Sequence, residues 1–156
     1  MFKVKIYFKN FKSLQKGELA LLCDEGAPLA RNILAEWFNC ELETSEFIAK
    51  LVSDAAIPND NQYGVNLYGW QIISDEYVII YNLLNRELDV KEYILLTLEQ
   101  YVRLLHKLLT LSNQSNNRVK GSDDSEQFFE VECFAEGHRA KNIAYELLNV
   151  DYEVFY

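Results

Sequence analysis

Cys133, Glu136 and His138 place a thiol, a carboxylate and an imidazole within six residues, the ingredients of a cysteine nucleophile with an adjacent base. The surrounding pattern opposes that chemistry. Phe129, Val131 and Cys133 alternate with Glu130 and Glu132, so the thiol is expected to point inward, away from a histidine at the start of the next helix. Acids close to a thiol also disfavour its thiolate. The other histidine, His106, lies beside Arg103 and Lys107 on the polar side of a helical pattern and reads as a solvated side chain.

Metal and nucleotide chemistry find no better footing. There is no C-x-x-C, H-x-x-x-H or H-E-x-x-H, and the two histidines are far apart. Asp123-Asp124-Ser125-Glu126 offers carboxylates to calcium without the alternate ligand spacing and turn glycine of a calcium loop. Neither G-x-G-x-x-G nor G-x-x-x-x-G-K-[ST] occurs, so a phosphate has no recognisable cradle. No catalytic residue, metal ligand or cofactor is assigned.

Charge is more informative. Lys3, Lys5, Lys9, Lys12 and Lys16 fall in the first 16 residues, which contain no acid. All 24 acids follow, against ten of the 15 basic residues, and the chain carries a net charge of −9. Such a field attracts cationic partners and repels nucleic acid and anionic membranes. Phe129–Phe134 followed by Gly137 and Arg139–Ala144 is similar to the end of a double-stranded-RNA-binding domain. Only Arg139 and Lys141 stand where those domains gather lysines, and the charge opposes phosphate binding.

These residues must be positioned by one domain, residues 1–156, long enough to bury a single core. A hydrophobic fraction of 49% and a charged fraction of 25% are those of a globular chain. Cys23, Cys40 and Cys133 are odd in number and widely spaced, which favours reduced thiols. The start lacks a signal-peptide core and no apolar run reaches ~20 residues, so a cytoplasmic protein off the membrane is expected.

Along the chain, Phe2–Lys9 alternates as a strand. Pro28 suits a first helical turn ahead of the stripe Leu29, Ile33, Leu34, Trp37 and Phe38. A second helix carries Phe47, Ile48, Leu51, Val52 and Ala55, with Thr44 or Ser45 as cap. Pro58–Asn61 is a loop. A meander follows: Tyr63–Ile73 with Gly69 as a bulge, the central strand Tyr77–Tyr81, and Glu92–Leu96. Thr97-Leu98-Glu99-Gln100 fits a capping box opening a leucine-rich helix. Residues 112–127 are too polar to order themselves and are expected to be a mobile loop. Strand Phe129–Cys133, a helix with Ala140, Ile143, Ala144, Leu147 and Leu148, and strand Val150–Tyr156 complete the chain. The expectation is α+β: a largely antiparallel sheet with about four helices, ordered β-αα-βββ-α-β-α-β. Were the first strand and Phe129–Cys133 neighbours, Lys3 and Lys5 would oppose Glu130 and Glu132.

The acidity, the small single domain, the aromatic meander and the stretch Glu92–Leu105 with its T-L-E-x-Y cap resemble the immunity proteins of bacterial polymorphic-toxin and contact-dependent growth inhibition systems. The resemblance implies a protein that binds and neutralises a cognate toxin domain, often a basic nuclease, in the same cytoplasm. On that basis Asp123, Asp124, Glu126, Glu130 and Glu132, with the rings of Tyr68 and Trp70, are the expected partner-binding surface. The competing expectations are a small adaptor or oligomeric structural protein, and an enzyme with a carboxylate site near Asp75 or Glu92.

Overall fold

The computed structural model describes residues 2–10, 19–25, 28–42, 44–57, 61–64, 66–116 and 127–149. In chain order they form strands β1 (Phe2–Asn10) and β2 (Leu19–Glu25), then helices α1 (Pro28–Glu41) and α2 (Ser45–Ala55). Strands β3 (Gln62–Gly64), β4 (Tyr68–Ile73), β5 (Tyr77–Asn82) and β6 (Tyr93–Thr97) lead into helix α3 (Leu98–Asn116). Strands β7 (Gln127–Cys133) and β8 (Ala135–Glu136) and helix α4 (Gly137–Leu148) follow. The fold is α+β, with antiparallel sheets ordered β2-β1-β7 and β3-β4-β5-β6-β8.

The local signals act where expected. Pro28 opens α1, Thr44 Oγ1 accepts from the Phe47 amide at 3.1 Å, and Thr97 Oγ1 accepts from the Gln100 amide at 3.2 Å. β5 is the central strand of its sheet, and Cys133 points inward. Lys3 and Lys5 stand opposite Glu132 and Glu130, and Lys3 Nζ lies 3.6 Å from Glu130 on the diagonal.

Other details differ. β2 arises from Leu19-Ala20-Leu21-Leu22-Cys23, a continuous apolar run with no period to reveal it. The stretch 63–73 is two antiparallel strands rather than one, with Gly64 paired to Gly69, so Gly69 is no bulge. The side chain of Glu41 causes that reversal: it accepts from the amides of Leu67 and Tyr68, each at 2.8 Å, and of Asn66 at 3.4 Å. Helix propagation from a strong leucine stripe carries α3 through residues 112–116, the front of the expected loop. Residues 117–126, the expected strand Val150–Tyr156 and Pro58–Asp60 lie outside the described residues.

The five-stranded sheet is covered on both faces. Tyr68, Trp70, Ile72, Val78, Ile80, Ile94 and Leu96 pack with α1, α2 and α3. Ile73, Ile79, Tyr81, Tyr93 and Leu95 pack with Ala140 and Ala144 of α4. Burial from two sides is why β4, β5 and β6 are buried along nearly their whole length, and mostly apolar, rather than alternating. Trp70 occupies the centre, edge-on to Trp37 at 5.7 Å, stacked on Tyr63 at 5.2 Å, and bonded through Nε1 to the Tyr101 hydroxyl at 3.2 Å.

Candidate functional site

Helix α3 crosses the molecule beside β7, and two surface depressions meet along it at Arg103. The larger, about 740 Å³, separates the outer side of α3 from β7. Glu130 and Glu132 line it on the strand side. Gln100 closes its floor: rather than reaching back to complete a capping box, its Oε1 accepts from the Glu132 amide at 3.3 Å, on the open edge of β7. Arg103, His106 and Lys107 supply the helical wall, and Lys3 joins from β1. The groove is therefore of mixed sign, and the carboxylates expected to face a partner already oppose the lysines of β1.

The second depression, about 530 Å³, is shallow and more acidic. The Ser74-Asp75-Glu76 turn, with Ser74 and Asp75 at positive φ, swings beside the start of α3 because β5 and β6 pair Tyr77 with Thr97. The Glu76 carbonyl accepts from the Leu98 amide at 2.8 Å and fixes the two segments together. Asp75, Glu76 and Glu99, all exposed, then surround half-buried Leu98 and Val102, with Arg103 at the rim. An apolar floor within an acidic border is the arrangement by which a cationic protein surface is both attracted and held. No sequence motif joins these residues; only the strand register does.

The remaining expected contact residues are placed differently. Tyr68 and Trp70 are 0% exposed and belong to the core, because helices cover the face on which they lie. They present no ring to a partner. Asp123, Asp124 and Glu126 lie outside the described residues.

The carboxylates that gather elsewhere hold the fold. The Tyr68 hydroxyl lies 2.7 Å from Glu36 Oε2 and 3.1 Å from Glu92 Oε2, and Asn82 Nδ2 donates to the same Glu92 oxygen. Burial, then the bond to Glu36 and the charges of Glu92 and Glu36, raise the Tyr68 phenol well above its ordinary range. It is a neutral donor joining α1 to the sheet. Glu136 Oε2 accepts from the Ala30 amide at 3.1 Å, capping the first turn of α1 from 106 residues away rather than assisting Cys133. Cys40 has its thiol pKa raised by burial, then by Glu36 and Glu41, which keeps it protonated. Among the described residues, no group of three His, Cys, Asp or Glu side chains converges to hold a metal ion, and no helix is long and apolar enough to cross a membrane.

The chain matches no protein-family model, and none of the curated proteins or solved structures matches it.

Proposed function

We propose that this chain is an inhibitor of the immunity-protein type, which binds a basic bacterial toxin domain by protein–protein contact and neutralises it in the cytoplasm. The observation that carries the proposal is the border of Asp75, Glu76 and Glu99 around Leu98 and Val102, in a chain of net charge −9. The acids speed encounter with a cationic surface and the apolar floor slows escape. Glu130 and Glu132 lie across Arg103 on the same side and extend the contact.

The test is capture by tagged full-length protein from the cells that make it, at low and high salt, alongside a variant carrying Asp75→Asn, Glu76→Gln and Glu99→Gln. One basic partner, held stoichiometrically, bound more slowly in salt and bound more slowly by the variant, supports the proposal. Absence of a stoichiometric partner, or a partner indifferent to salt and to the variant, sinks it.

A further inference from the structure

Strand β7 ends its sheet, and among the described residues no strand pairs with the side turned away from β1. In the ladder with β1, Lys3 stands opposite Glu132 and Lys5 opposite Glu130. The Glu132 amide turns outward to reach Gln100. Antiparallel ladders alternate residue by residue, so the backbone groups of Glu130 and Phe128 turn outward as well. Gln100 thus stops one end of an edge that otherwise runs open toward the start of β7. Such an edge is a template for another strand, and folds shorten or cover it where no strand is wanted. β7 is seven residues long, and a groove of about 740 Å³ lies alongside it.

The groove has walls of opposite sign. Val131 shares a core cluster with Leu104, which puts α3 on the Val131 face of β7; by alternation Glu130 and Glu132 project from the other face. Arg103 and Lys107, one turn apart, and His106 line the helical side. Neither Arg103 nor Glu132 forms an ion pair among the described residues, and Lys3 meets Glu130 at 3.6 Å with both side chains mostly solvated. A strand added to β7, about 4.8 Å away, alternates its own side chains in step. One set falls beside Glu130 and Glu132; the other lies over Arg103 and Lys107. Opposite charges across a strand pair stabilise it and like charges oppose it. None of the edge strands β2, β3, β7 and β8 contains Lys or Arg, so a second copy of this chain is a poor donor.

We propose that β7 accepts an extended segment of a partner protein as a fourth strand of its sheet. That segment has Lys or Arg at the alternate positions beside Glu130 and Glu132, and Asp or Glu at the positions between, over Arg103 and Lys107. Main-chain bonds to Glu130 and Phe128 supply affinity. The two charged walls supply register, because a slip of one residue sets like charges together. The strand site stands without the inhibitor reading; only the identity of the donor as a toxin rests on it.

The test is fluorescence anisotropy and amide hydrogen exchange on the full chain at low salt, with the peptide acetyl-Thr-Lys-Glu-Lys-Glu-Lys-Thr-amide as probe. The Glu130 amide is expected to exchange freely in the protein alone and to be protected by the peptide. A peptide of the same composition with its charges in blocks, Thr-Lys-Lys-Lys-Glu-Glu-Thr, is expected to bind about tenfold or more weakly. The same loss is expected from N-methylating the lysines of the alternating peptide, whose amides face β7 in the proposed pairing. Glu130→Pro removes the outward amide and keeps the ladder with β1, so at an unchanged melting temperature it is expected to abolish binding. Should that variant not fold, the N-methylated peptide decides. No binding of the alternating peptide, or equal binding of the block or N-methylated peptide, overturns the strand site. A Glu130 amide already protected in the protein alone also overturns it, because the edge is then covered by this chain itself. The acidic border of Asp75, Glu76 and Glu99 is unaffected by either result and falls or stands on the capture experiment.

Discussion

Glu41, at the last turn of α1, accepts hydrogen bonds from Leu67 and Tyr68 at the start of β4, both at 2.8 Å and with the carboxylate buried. A carboxylate oxygen facing successive amides is the side-chain counterpart of an anion-binding nest. Asn66 Nδ2 adds a bond to the Cys40 carbonyl at 2.9 Å, so the end of the helix and the β3–β4 connection are fastened twice.

Removing that carboxylate should leave buried amides unpaired. Glu41→Ala is expected to cost about 2–4 kcal/mol of stability, with Glu41→Gln costing less because one acceptor remains. Chemical denaturation reads both. A cost for Glu41→Ala within error of zero would show that the connection holds without it.

The tyrosines predict an alkaline transition. Burial first, then hydrogen bonds to Asp54 and Glu36 respectively, raise the phenols of Tyr63 and Tyr68 above the ordinary value of 10.0. Above pH 10 the unfolded chain loses these protons while the folded chain keeps them. The stability they contribute is present below that pH and falls as the pH rises through the window above it. Tyr68→Phe is expected to destabilise by about 1–2 kcal/mol at pH 7 and to make the alkaline decline shallower. An unchanged slope between pH 10 and 11.5 would remove Tyr68 from this account.

Gly69 leaves room for a ring. A methyl group there would stand 2.7 Å from Cζ of Tyr81, its partner across β4 and β5. Gly69→Ala is expected to destabilise by about 1–3 kcal/mol, and Tyr81→Leu in the same chain to recover part of the loss. Additive costs would place the strain elsewhere.

Charge on the sheet face should matter little to folding. Lys3 and Glu130 are both mostly solvated, so Lys3→Glu or Glu130→Lys is expected to shift stability by under about 1 kcal/mol, and the double swap to restore the starting value within error. A larger loss from either single change would reveal a stronger coupling than the geometry supports.

What the sequence discloses and what it conceals follow from the range of each interaction. The caps at Thr44 and Thr97, Pro28, the leucine stripe of α3 and the apolar run of β5 rest on neighbours within a few residues. Tyr68 and Trp70 look like surface candidates only while the helices that cover them are unplaced. The hairpin between β3 and β4 depends on Glu41, about 26 residues away, and the first turn of α1 on Glu136. The acidic border forms because Tyr77 pairs with Thr97, a register that no local pattern encodes. Gln100 fits a capping box by spacing alone, yet the open edge of β7 offers its side chain a donor that needs it more.

Phe134 sits between β7, which belongs to one sheet, and β8, which belongs to the other; its amide bonds to the Leu95 carbonyl at 2.8 Å and its ring meets Tyr77 edge-on at 5.2 Å. A single run of backbone is thus stitched into both sheets. Neither sheet can be peeled from the other without unthreading that run, so force applied along β1 is transmitted through β7 into β6 and the sheet that carries the acidic border. The two sheets are therefore expected to yield together rather than in sequence, as a seam sewn with one thread fails as a whole.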